Sequence, residues 1–186
     1  MTEKDVIEIN YQAEVKQADI DHHKPTAGAM SGHIVANFWY FDVKLHQALW
    51  YVKGPQAIAL QEFYENLIAE NRTWLDRLGA ILLDENELPP STVAEYTQYA
   101  KMNEDPRVKY YDAAELLDET AHDITTANLF VDRAILLAQK ENRPALSAFF
   151  VELRGYNNHV IRTVQALLGK TAWDGLVEED DEDDED

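Results

Sequence analysis

Apolar residues recur at helical spacing over four long stretches of this chain, and no stretch alternates as a strand would. Ile34, Phe38, Phe41, Leu45, Leu49 and Val52 are spaced 4, 3, 4, 4 and 3 residues apart. That spacing lines one face of an amphipathic helix from Met30 to about Val52. Gly54-Pro55 ends it, and Pro55 suits the first turn of a second helix. Ile58, Phe63, Leu67, Trp74, Leu78 and Leu82 carry that helix to Leu83. A third opens at Asp112-Ala113-Ala114-Glu115, follows Leu116, Ile124, Ala127, Val131 and Ile135, and stops near Glu141. Pro144 starts a fourth, with Leu146, Phe149, Leu153, Val160, Val164 and Leu167, and Gly169 caps it.

The connections decide the topology. The first and third are short, which makes antiparallel neighbours. The middle one runs from about Asp84 to Tyr111. It contains Pro89-Pro90 and a capping box, Thr92-Val93-Ala94-Glu95, that opens a short helix to about Lys101. A four-helix bundle with one long crossover has the ferritin-like connectivity. The predicted fold class is all-α: a ferritin-like four-helix bundle with a long middle crossover containing a short helix. The bundle is assigned to residues 30–170. Residues 1–29 form an N-terminal extension, in which Ile7, Tyr11 and Val15 suggest a short helix and Pro25 to Gly28 a break. Residues 171–186 form an acidic tail, expected to be disordered and rooted by Trp173, Leu176 and Val177.

Charge narrows the function classes. The 186 residues carry a net −19, and Glu178 to Asp186 are all acidic. The remainder is still acidic, so a strongly basic DNA-coating surface is excluded. The absence of cysteine removes disulfides, thiolate metal sites and cysteine nucleophiles. The N-terminus is acidic and lacks an apolar core such as a secretory signal needs. No apolar run reaches the roughly 18 residues of a membrane span. A cytoplasmic protein without a membrane partner is expected.

Leu45-His46-Gln47-Ala48-Leu49-Trp50-Tyr51-Val52-Lys53-Gly54-Pro55 resembles the end of the first bundle helix in the Dps family, the DNA-protecting starvation proteins of the ferritin superfamily. Leu60-Gln61-Glu62-Phe63-Tyr64-Glu65 resembles the segment that follows it, and Pro89-Pro90-Ser91-Thr92 with Glu95 resembles the loop into the small middle helix. The likeness spans about residues 30 to 170. It implies a homo-oligomer, a hollow dodecamer, that takes up iron, oxidises it at dimer interfaces and in many members binds DNA.

The resemblance also implies an iron-oxidising site of two imidazoles and three carboxylates, shared between two subunits. Here the imidazole positions are Leu49 and Gln61. Two carboxylates remain, Glu65 and the partner's Asp76, while Ala80 stands where the third belongs. Iron ligation needs several converging oxygen and nitrogen donors. The expectation is a ferroxidase site largely lost, leaving Glu65 and Asp76 as its remnant and iron as a weakly held cargo. Whether the chain is an enzyme therefore stays open.

Other candidates come from the residues alone. Glu119-Thr120-Ala121-His122 has the Glu-x-x-His spacing of bundle metal sites, but a di-iron centre needs two such pairs. His22 and His23, near Asp19 and Asp21, are a second metal candidate. For DNA, Lys4, Lys16 and Lys24 lie in the extension among six acids. A shell multiplies weak phosphate contacts by avidity, and the acidic tail opposes them. The function expected is a stress protein forming a shell that protects DNA by association, iron binding and storage, or both. Two alternatives stay open: a di-iron oxidase with a relocated site, using Glu119 and His122 or His46 with Asp76, and a structural shell without metal chemistry.

Overall fold

The computed structural model of the chain describes residues 3–23 and 25–176. It contains α1 (Glu3–His23), α2 (Ala27–Tyr51), α3 (Ala57–Asp84), α4 (Val93–Tyr99), a short 3-10 helix (Pro106–Tyr110), α5 (Ala113–Lys140) and α6 (Pro144–Leu167), with no strand among the described residues. The bundle is α2, α3, α5 and α6. Residues 52–56 join α2 to α3, 141–143 join α5 to α6, and 85–112 cross between the two hairpins.

Local chemistry sets the helix ends. Asp112 and Glu115 form a reciprocal capping box on α5, and Thr92 and Glu95 do the same on α4. Asn86 and Asn142 follow α3 and α5 with φ of 61° and 55°. At each, the next amide reaches back five residues, Glu87 N to Leu82 O and Arg143 N to Ala138 O, both at 2.8 Å. This is the Schellman termination, with asparagine in place of the usual glycine.

Two boundaries differ from the sequence expectation. Helix α2 starts at Ala27, inside the predicted break, because the Thr26 hydroxyl accepts from Ala29 N at 3.1 Å and caps it. Gly28 is therefore helical, and a Cβ there would press on the Glu87 carboxylate, so that side chain would have to shift. The extension holds a helix of 21 residues, not a short one.

The core follows the predicted stripes. One end of the bundle packs Phe41, Leu45, Tyr64, Leu67, Leu116 and Ile161; the other packs Ile34, Trp74, Leu78, Val131, Phe150 and Leu153. Burial of each such side chain contributes about 1.5–3 kcal/mol of transfer free energy. Leu167, near the end of α6, is exposed although its spacing puts it on the core stripe, and so is Ile58. Ile58 is 84% exposed, because the buried face of α3 runs through Leu60, Tyr64 and Leu67. Near the end of α6, Gln165 donates to the Asp174 carbonyl at 2.8 Å, and Leu176 packs on the core. Val177 and the acidic run after it lie outside the described residues.

Candidate metal centre and neighbouring charged clusters

Gln61, Glu65, Asp76 and Ala80 all lie on α3, and Leu49 lies in the last turn of α2. Glu65 and Asp76 are exposed. Eleven residues of helix separate them by about 16 Å along the axis, so they cannot share an ion within one chain. Leu49 is half-buried and packs against the core cluster around Leu45 and Leu60. Neither Leu49 nor Ala80 has a donor atom to offer.

The other predicted ligands are engaged elsewhere or fall outside the description. Glu119 accepts from Lys44 at 3.0 Å, whereas His122 Nε2 sits 3.5 Å from Asp118, so this pair does not converge. His46 Nδ1 donates to the Asp42 backbone carbonyl, 2.7 Å away, and its ring meets Trp50 edge-on. Asp42 in turn takes a two-pronged contact from Arg72, at 3.0 and 3.3 Å. The side chains of His22 and His23, and Lys24 altogether, lie outside the described residues. Lys4 and Lys16 are exposed on α1, about 120° apart around the helix at 100° per residue. Among the described residues no group of three or more His, Cys, Asp or Glu side chains could hold a metal ion.

The cluster that sequence reasoning missed is built on Lys44. It sits at a core-facing position of α2, 8% exposed. Its Nζ donates to Asp123 at 2.9 Å and Glu119 at 3.0 Å on α5, and to the Asn103 carbonyl of the crossover at 2.9 Å. One cation thus ties three segments together. The signal was present in the sequence: a lysine inside the Phe41–Leu45–Ala48 stripe, and two acids one helical turn apart. Burial works against the ammonium, but Asp123 and Glu119 outweigh it and hold its pKa above the ordinary lysine value. Burial pushes the Asp123 carboxyl up to about 6, against the pull of Lys44.

That shift has a sign. The folded chain takes up a proton at Asp123 near pH 6, whereas an unfolded aspartate does so near pH 3.9. Between those values the folded state binds more protons, so this group adds stability as pH falls. Relative to Asp123→Asn, the wild type should gain on the order of 2 kcal/mol between pH 7 and pH 4. Urea midpoints of both proteins across that range measure it, and a gap that stays constant with pH would refute it.

The comparisons with known proteins agree with this architecture. The ferritin-like domain family matches residues 32–172. The solved structure of the DpsB protein of Lactococcus lactis MG1363 aligns with a TM-score of 0.86 at 41% identity, covering 92% of this chain and 99% of that one. The DpsA protein of the same strain aligns at 0.83 and 38% identity, over 89% of this chain and 98% of its own. The DNA protection during starvation protein of Listeria innocua is 27% identical over 138 residues, 74% of this chain and 88% of that protein. No helix among the described residues is long and apolar enough to cross a membrane. A matched domain of this extent, on a bundle with this crossover, means that the chain belongs to the Dps family of the ferritin superfamily.

Proposed function

We propose that this chain is a cytoplasmic stress protein that assembles into a hollow homo-oligomeric shell, a dodecamer. The shell protects DNA by associating with it and by binding and storing iron, without the family's rapid ferroxidase reaction. The loss of that reaction rests on Leu49, a half-buried hydrocarbon packed against the core where the resemblance puts an imidazole. With Ala80 also donorless, Gln61, Glu65 and Asp76 of the partner subunit are too few and too weak a set to hold an iron pair. Iron is then cargo, attracted by an acidic protein and held by scattered carboxylates.

Assembly is supported by large apolar side chains left outside the single subunit. Trp50 is 68% exposed, Ile58 84%, and Leu129 and Leu136, two turns apart on α5, 67% and 64%. Large apolar groups left exposed on one subunit support their burial against further copies. For DNA, Lys4 and Lys16 do not share one face of α1, so binding rests on avidity over many subunits.

Two measurements test the reading. Light scattering should report a dodecamer, and a monomer would overturn the shell. In gel shifts at low salt, the chain lacking residues 178–186 should bind duplex DNA several-fold more tightly than the full chain. Binding should weaken as salt rises, as phosphate contacts require. Equal affinity with and without the acidic run would mean that it does not oppose DNA.

A further inference from the structure

Each of the four bundle helices buries one asparagine: Asn37 on α2, Asn71 on α3, Asn128 on α5 and Asn157 on α6, with exposures of 4%, 3%, 3% and 9%. They lie at one level. Asn71 donates to the Phe38 carbonyl at 3.1 Å, beside Asn37, and Asn157 donates to Asn128 at 2.8 Å across the α5–α6 hairpin. Asn37, Asn71 and Asn157 line a pocket of about 40 Å³ between the helices, walled otherwise by groups such as Phe41, Ile124 and Leu153. Bundle proteins build core ligand sites from facing helices in this way.

The chemistry of the layer is specific. The Asn37 carbonyl oxygen accepts from Lys101 N at 2.7 Å, which fixes the orientation of its amide. Its Nδ2, and that of Asn128, are buried with no hydrogen-bond partner among the described residues. A buried amide donor without a partner is costly. No charged side chain lines the cavity, so neither a cation nor an anion would be compensated there.

We infer that this asparagine layer is an internal binding site for a small neutral hydrogen-bond acceptor, water in the first instance, seated on Asn37 Nδ2. The volume suits it: a water needs roughly 10–15 Å³ on this measure, so the cavity holds one to about three. The site is independent of the shell and of the iron reading, since it is complete within one subunit.

Crystals of the full chain, at a resolution that orders solvent, test this directly. A solvent peak within hydrogen-bond distance of Asn37 Nδ2, and no xenon peak in the cavity under pressure, is the expected result. A cavity without a solvent peak, or one that xenon fills in the wild type, overturns the inference, because dry apolar cavities take such probes. In Asn37→Leu the solvent peak should vanish and xenon should enter. If the solvent peak persists unchanged in that variant, Asn37 is not its anchor and the assignment fails. Should the variant not fold, the wild-type crystals alone decide between the two outcomes.

Discussion

Replacing Lys44 by methionine is expected to destabilise the folded chain by about 3–5 kcal/mol, the range for removing one partner of a buried ion pair. Methionine keeps the length and the apolar stem but removes the ammonium. Asp123, only 13% exposed, then loses its counter-charge, and the Asn103 carbonyl loses its donor. The cost falls on the carboxylate left behind more than on the lost attraction. A second substitution should therefore recover most of it: Lys44→Met with Asp123→Leu leaves no buried charge. Glu119→Gln alone should cost much less, since that carboxylate is 40% exposed and can turn to water. Denaturant unfolding of the four proteins measures the set. If the double variant is as unstable as Lys44→Met, the explanation by an uncompensated charge is wrong.

The second large effect concerns iron. Peroxide-driven Fe(II) oxidation by the wild type should be slow, and Asp76→Ala should leave its rate unchanged. The triple variant Leu49→His, Gln61→His, Ala80→Glu should oxidise Fe(II) faster by on the order of a hundredfold. That is a modest expectation, because even outer-shell partners of a metal are worth 10–100-fold. Gln61 and Glu65 are one turn apart on α3, as are Asp76 and Ala80, so the new groups land beside the surviving acids. Leu49 is half-buried, and a polar ring there strains the packing; melting and light scattering of the triple variant establish that it remains folded and assembled. Two results would defeat the reading: a wild type that oxidises iron rapidly and loses this with Asp76→Ala, or a folded, assembled triple variant no faster than the wild type.

Much of the fold was legible because bundle helices declare themselves by period. The stripes of α2, α3, α5 and α6 are long, and helix ends carry strong chemistry: Asp112 with Glu115 on α5, Thr92 with Glu95 on α4, Pro144 at the start of α6 and Gly169 just past its end. What was misread was local. Pro25 to Gly28 looks like a break, yet Thr26 makes it the start of a helix. Ile58 fits the spacing of its neighbours but points away from the core, since a lone apolar residue at a helix start does not fix a face. The extension lacks a single apolar stripe, which is why only Ile7, Tyr11 and Val15 hinted at α1. At the candidate site, the missing donors could be read from the motif. The Lys44 cluster left a trace there, a lysine inside an apolar stripe, but which acids it meets could not be read, nor could the asparagine layer, because each joins residues far apart in the chain and becomes a unit only when the helices pack.

The division of the bundle into two hairpins bears on the order in which the protein forms. The pairs α2–α3 and α5–α6 each close over a handful of residues, at little entropic cost. Joining them must fix the whole span 85–112, and that step buries the two apolar clusters to which both hairpins contribute, with Lys44 reaching Asp123 and Arg143 grasping Glu85 and Glu87 at 2.8 and 2.6 Å as polar fasteners. Nascent chains leaving the ribosome therefore present one closed hairpin well before its mate exists. Its apolar inner face is the surface a chaperone would shield in that interval.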